Sequence, residues 1–220
     1  MIQVKELFKK NKIKQYFSFT RQTTEDLCSP LSAEDQNIQS MDDASPTKWH
    51  KAHTSWFFET FILKDFLKDY RVFNKSYAFL FNSYYQTFGE RQPRPKRGLL
   101  SKPSLEEINK YRKHVNENIK HLVDVASDDN IQEICNLITL GINHEQQHQE
   151  LILMDILHAF YLNPLKPSYK KLNKKIEHKS NKLTWKDIEG GIVEIGQNFE
   201  GSNKFFYDNE GPKHEILLKP

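Results

Sequence analysis

Between the polar break at Ser127–Asn130 and the prolines at 164 and 167, one uninterrupted segment keeps a helical apolar pattern, with Ile131, Ile134, Ile138, Ile142, Leu151, Ile152 and Ile156 as its buried face. A helix that begins near Asp129 and runs to about Tyr161 has a long apolar stripe to hide, and other helices are its natural cover. Three further segments supply them. Val4 to about Leu27 carries Leu7, Ile13, Phe17 and Leu27 on a ragged helical period. PTKWHKAHTSWFFETFILKDFL predicts a helix to about Leu67, with Ser45 or Thr47 available as its cap and Pro46 suited to its first turn. The third starts at Ser104, where Glu107 three residues later completes a capping box and Leu105, Ile108, Tyr111, Val115, Ile119 and Leu122 form the inward face. Four helices are the minimum for a self-contained bundle, expected here over residues 1–166. With only 8 Gly against 9 Pro, the chain lacks the frequent glycine turns of a barrel or sandwich.

The connections are long. Ser29 to Pro46 reads as an ordered loop, and Asp69 to Lys102, rich in aromatics, Pro and Arg, as an extended excursion of the kind that usually carries function. After a linker at 167–184, with a denser lysine run from Lys166 to Lys182, the pattern changes. LTWKDIEGGIVEIG and HEILLKP have the β-branched alternation and Gly-Gly turn of a hairpin opening a separate β-containing unit over 185–220. A unit that short cannot bury a core of its own, so it is expected to be the truncated start of a larger domain. The fold class predicted is mainly α, a four-helix bundle followed by that truncated β-containing start.

Composition closes off several functions. Lys and Arg total 32 against 29 acidic residues, a net charge of +3, too even a balance for a nucleic-acid partner. Two cysteines make no disulfide framework, no apolar run approaches the roughly 20 residues of a membrane span, and MIQVKELFKKNKIK lacks a signal peptide's apolar stretch. The expectation is a soluble, cytoplasmic protein.

Chemistry concentrates in the histidines. NHEQQHQEL puts His144 and His148 four residues apart, on one helical face, within the stripe Leu137, Gly141, His144, His148, Leu151. In the second helix His53 lies within the stripe Trp49, His53, Trp56, Thr60, Leu63, Leu67. A lone inward histidine is more often a hydrogen-bonded core residue than a ligand. Three converging from facing helices would suit a divalent ion such as Fe(II) or Zn(II) with open positions. Neutral imidazoles would leave such a site cationic and attractive to a thiolate or dioxygen. His144, Glu145 and His148 also spell HExxH, in which Glu145 would be a zinc protease's general base, but Leu151 and Met154 stand where the extended pattern has Gly and His. Glu145, Gln149 and Glu150 are otherwise expected beside the site or facing solvent. His50, His114, His121, His158, His178 and His214 are read as structural or surface residues, His50 because it lies one position off the stripe.

The excursion FNSYYQTFGERQPRPKRGLLSKP gathers Arg91, Arg94, Lys96 and Arg97 with Tyr84, Tyr85 and Phe88, stiffened by Pro93 and Pro95. Guanidiniums pair bidentately with carboxylates, so a small dicarboxylate-bearing substrate is a reasonable guest, set against a merely solvated basic loop.

The blocks SPTKWHKAHTSWFFETFIL, LFNSYYQTFGERQPRPKRGLLSKPS and INHEQQHQELILMDILHAFYLNPLKPSY, in that order, closely resemble the N-terminal DinB-like region of ergothioneine-forming sulfoxide synthases over about residues 5–170. WKDIEGGIVEIGQ through FYDNEGPKHEILLKP resembles the opening of their second domain, a formylglycine-generating-enzyme-like, C-type-lectin-related fold. The resemblance implies a non-haem Fe(II) enzyme that uses O2 to join the sulfur of γ-glutamylcysteine or cysteine to the imidazole of hercynine as a sulfoxide. By motif, the iron ligands fall on His53, His144 and His148, and the arginines that hold the thiol's carboxylates on Arg91 and Arg94. By that resemblance the proton-donating tyrosine and much of the hercynine site would lie beyond Pro220, so the chain is expected to be a fragment. Relatives with the same three-histidine plan include DinB-like thiol transferases and ovothiol or selenoneine synthases. A non-catalytic helical interaction module is the alternative of another class.

Overall fold

The computed structural model describes residues 2–83, 90–171, 182–199 and 205–220. It divides into two compact units, Met1–Lys171 and Leu172–Pro220. In the first, α1 (Ile2–Cys28), α2 (Thr47–Phe58), α5 (Leu105–Val125) and α6 (Asp128–Leu162) are the long helices, with the short α3 (Lys64–Phe66) and α4 (Tyr77–Leu80) between α2 and α5. The long helix at the C-terminal end and its three companions are thus present as the apolar pattern predicts. The break between α5 and α6 is narrower than Ser127–Asn130, because α6 already starts at Asp128.

The four long helices pack together, α1 against α5 and α6, and α2 against α5 and α6. α2 is the central helix, and every residue from Thr47 to Phe58 is buried. A helix enclosed on all sides has no solvent face, so a single stripe drawn along it undercounts what it buries. Trp56, Phe58, Ile108, Ile119, Ile134 and Ile138 are among the fully buried side chains, each stabilising the fold by roughly 1.5–3 kcal/mol of transfer free energy. The predicted box at the start of α5 forms: Ser104 Oγ accepts from the Glu107 N–H at 3.2 Å, and the Glu107 carboxylate accepts from the Ser104 N–H at 2.8 Å.

The start of α2 corrects the expectation. No side chain caps it, and the position before Thr47 is Pro46. Ser45 is engaged elsewhere: its N–H donates to Asp155 at 2.8 Å and its Oγ accepts from Arg97 at 3.0 Å. At its other end α2 widens into a π turn at Glu59–Leu63 before α3. The buried Glu59 carboxylate there accepts from the Tyr70 hydroxyl (2.6 Å), the Tyr111 hydroxyl (2.7 Å) and the Phe73 N–H (3.1 Å), so α5 and the following loop are tied to the turn.

One network joins all four long helices. Glu145 of α6, fully buried, accepts from Arg21 of α1 at 2.8 Å, from Arg112 of α5 at 2.6 Å and from Thr24 of α1 at 2.6 Å. Arg112 also donates to Glu25 at 2.5 Å, Glu25 accepts from Lys51 of α2 at 2.8 Å, and Arg21 donates to Ser55 of α2 at 2.8 Å. Apolar packing leaves helix register loosely specified, whereas a closed set of buried charges and donors has one satisfactory alignment.

In the second unit, β1 (Gly191–Ile195) and β2 (His214–Leu218) pair antiparallel as expected, with Val193 opposite Ile216, but the Gly-Gly pair makes no turn between them: Gly191 opens β1, opposite Leu218. Most of the linker at 167–184 lies outside the described residues. No helix among the described residues is long and apolar enough to cross a membrane.

Candidate metal centre

α2 and α6 approach closely at one point, and the reason is Gly141. A Cβ there would sit 2.4 Å from Cε1 of Phe58 and 3.1 Å from Cε1 of Phe57, so only glycine lets the helices meet at this separation. One turn further along α6 comes His144, then His148, both facing α2. His53 of α2 meets them: its Nε2 is 3.2 Å from Nε2 of His144, which is 3.1 Å from Nε2 of His148. The three offer ligand atoms all within 4.8 Å of one another, a group that could hold a metal ion. The convergence expected from two helical stripes is therefore what the fold produces.

Each ring is held in place. His53 is stacked between Trp49 (centroids 4.7 Å apart) and Trp56 (5.5 Å), and its Nδ1 is 2.6 Å from the carbonyl oxygen of Phe81. A carbonyl only accepts, so Nδ1 carries the proton and Nε2 presents a bare lone pair to the other two rings. His144 packs against Phe57 at 4.8 Å, and its buried Nδ1 has no hydrogen-bond partner among the described residues. Burial, reinforced by the neighbouring imidazoles, pushes His53 and His148 well below the ordinary histidine range, and burial holds His144 down to about 4. Neutral imidazoles with converging nitrogens are the donor set a borderline divalent ion takes, and lone pairs facing one another with too few protons between them fit such an ion better than they fit a core.

Two residues of this neighbourhood escape the stripe argument. His50, read from sequence as structural or surface, is buried with Nδ1 2.7 Å from Nδ1 of His148 and Nε2 3.1 Å from Oδ2 of Asp155. The stripe excluded it because it assumed a solvent face that α2 lacks. A signal was present nonetheless: His50 precedes His53 by three residues, and Asp155 follows His148 by seven, both helical spacings. Of the other histidines, His158 contacts Ser40 Oγ at 2.8 Å, His114 contacts the Tyr70 hydroxyl at 3.1 Å, and His121 and His214 are exposed. His178 lies outside the described residues.

A cavity of about 420 Å³ opens over the three imidazoles, lined also by Trp49, Ser83, Arg94, Arg97 and Gln147. Arg97 is its buried wall, with its guanidinium 3.4 Å from the centroid of the Trp49 ring and donating to Ser45 Oγ at 3.0 Å. Arg94 reaches the same cavity and also lines an adjoining one with Arg91, Ser83, Pro93 and Pro95. Arg91 donates to the Ser83 carbonyl and lines the adjoining cavity. Tyr84, Tyr85 and Phe88, expected beside these arginines, lie outside the described residues.

Glu145 takes no part in the centre. Burial would raise its carboxyl, but Arg112 and Arg21 with their hydrogen bonds outweigh that and hold it down to about 2. A carboxylate locked between two guanidiniums is not a general base near neutrality, so the HExxH pattern does not make a protease here. Arg21 is itself lowered to about 10 by burial and by Arg112, whereas Arg112 is raised, its two carboxylates outweighing burial.

Compared with known families, residues 16–158 match the model described as the DinB superfamily, well over half of the chain's 220 residues. A comparison with curated proteins finds no match.

Proposed function

The chain belongs to the DinB superfamily, and we propose that its bundle holds one Fe(II) on His53, His144 and His148 and acts, with dioxygen, in joining the sulfur of a small carboxylate-bearing thiol to the imidazole of hercynine as a sulfoxide. Members of the superfamily are often metal-dependent enzymes. The observation that carries the reading is the meeting, in one cavity, of three neutral imidazoles with Arg94 and Arg97. When bound, Fe(II) would supply a Lewis-acidic partner for the thiol sulfur and the one-electron chemistry that dioxygen requires.

The protein's own groups do the rest. Three uncharged donors leave an ion's charge uncompensated, and two guanidiniums add to it, so the cavity favours a substrate that brings anions. Trp49 carries Arg97 against its ring face and fixes the guanidinium plane for a carboxylate. A volume of about 420 Å³ has room for an amino acid or dipeptide, which supports cysteine or γ-glutamylcysteine as the thiol. Arg91, which lines the adjoining cavity, would take a second carboxylate of the longer thiol. The hairpin unit would open a formylglycine-generating-enzyme-like domain.

A thiol transferase using the same three histidines is the second reading, supported by a family match confined to the bundle. The test is anaerobic Fe(II) titration of the wild-type protein and of His148→Ala, then addition of hercynine, γ-glutamylcysteine and dioxygen with mass detection of the sulfoxide. Stoichiometric binding that is lost in His148→Ala is expected. No binding by folded wild type, or binding that survives the substitution, refutes the ligand set. Thiol transfer without oxygen uptake favours the second reading.

A further inference from the structure

The three histidines are supported unequally. His53 is backed by a carbonyl, and His144 by nothing among the described residues, whereas His148 is backed by a chain of two side chains ending in Asp155. That chain has a direction. Asp155 Oδ2 already accepts from the Ser45 N–H at 2.8 Å, and a carboxylate oxygen can only accept, so the contact at 3.1 Å requires a proton on His50 Nε2. His53 spends its proton on the Phe81 carbonyl, so its bare Nε2 accepts from His144 Nε2 at 3.2 Å; the same His144 N–H faces His148 Nε2 at 3.1 Å, which leaves that nitrogen accepting and the proton of His148 on Nδ1. His50 Nδ1 is therefore an acceptor. Among the described residues the group facing it, at 2.7 Å, is His148 Nδ1, which donates. A neutral His148 with its proton on Nδ1 has a bare Nε2, and Nε2 is the atom turned toward His144 at 3.1 Å.

We infer that Asp155 and His50 are positioning residues that fix His148 in the tautomer whose unprotonated Nε2 faces the metal position, the two imidazoles being locked in opposite tautomers. The inference rests on the three-histidine reading for its purpose and on hydrogen-bond direction for its content. It explains why a carboxylate is buried two turns from the nearest of the three rings. Without the pair, His148 would be free to place its proton on Nε2, where it would have to be displaced before any ion could bind. Ser45 ties the device to the cavity wall, since the same residue donates to Asp155 through its N–H and accepts from Arg97 through Oγ.

The test uses the full chain labelled with ¹⁵N histidine. In metal-free wild type, long-range proton–nitrogen correlation spectra should show His148 protonated at Nδ1 and His50 at Nε2. Zn(II) competition titrations then compare wild type with His50→Phe, which removes the acceptor, and His50→Gln, whose amide can accept from His148 and donate to Asp155. His50→Phe should weaken Zn(II) binding roughly 10–100-fold, the usual loss when an outer partner of a ligand histidine is removed, and His50→Gln should recover most of it. A proton on Nε2 of wild-type His148, His50→Phe binding as wild type does, or His50→Gln no better than His50→Phe would each overturn the inference. The wild-type spectrum decides even if His50→Phe misfolds. Should wild type take up no Zn(II), the metal reading fails separately, because the tautomers are read without metal.

Discussion

Replacing Glu145 by Gln changes one atom and removes one charge from the centre of the bundle. Arg21 and Arg112 would then remain buried with a neutral amide between them, Arg112 retaining Glu25 and Arg21 left with hydroxyl and amide acceptors. Breaking a buried ion pair from one side costs about 3–5 kcal/mol. The titration behaviour gives a comparable figure: holding this carboxyl at about 2 instead of the ordinary 4.5 is worth roughly 3 kcal/mol at neutral pH. Against a typical total of about 5–15 kcal/mol, Glu145→Gln should lower the urea midpoint by about 2 M at pH 7. Glu150→Gln, exposed on the same helix, should stay within about 0.5 kcal/mol of wild type. An unfolded glutamate takes up a proton near pH 4.5 that the folded chain refuses until about pH 2, so the contribution is whole above 4.5 and is lost as pH falls toward 2. The difference between wild type and Glu145→Gln should accordingly shrink across that window. Equal urea midpoints for the two proteins at pH 7 would refute the role given to the network.

Gly141→Ala should cost about 1–3 kcal/mol by thermal unfolding, because its methyl meets Phe58 at 2.4 Å, and should weaken metal uptake by spreading α2 from α6 one turn before His144; an unchanged melting temperature would mean the helices can separate freely. Ser104→Ala should cost about 1 kcal/mol through loss of the α5 cap, with metal binding untouched. Arg97→Leu should leave Zn(II) affinity within a few fold while weakening a carboxylate-bearing thiol by about tenfold or more, read by calorimetry on metal-loaded protein; equal thiol affinity would remove Arg97 from the substrate site.

The bundle was legible because its helices announce themselves locally, through the capping box at Ser104 and Glu107 and the long isoleucine row of α6. His53, His144 and His148 were legible because a polar residue within an apolar stripe is an anomaly that periodicity exposes. What periodicity misses is anything that depends on a third body. His50 looked off-phase because α2 was assigned one inward face, and the fold surrounds it. Glu145, between the two histidines in sequence, is expected beside the site or facing solvent and is instead buried in an ion-pair network; Arg21 and Arg112, which claim it, come from other helices. The π turn at Glu59–Leu63 is another such case, since the Tyr70 and Tyr111 hydroxyls that satisfy Glu59 come from outside α2.

His144 and Glu145 are neighbours in sequence yet answer to opposite demands, and metal dependence should separate them. His144 adds a buried Nδ1 without a partner among the described residues and one Nε2 shared between two other imidazoles, so in the metal-free state it contributes little beyond that shared contact and its packing against Phe57. An apolar side chain of similar reach should do as well or better there. Metal-free His144→Leu should fall within about 1 kcal/mol of metal-free wild type, where Glu145→Gln loses several. Adding Zn(II) should reverse the order. At a hundredfold excess over its dissociation constant the ion stabilises wild type by about 2.7 kcal/mol, and chelation removes that gain. His144→Leu should gain almost nothing, since only two of the three imidazoles remain. A large loss in metal-free His144→Leu would mean that the imidazole is needed by the fold itself, and equal stabilisation by Zn(II) would mean that the ion binds elsewhere.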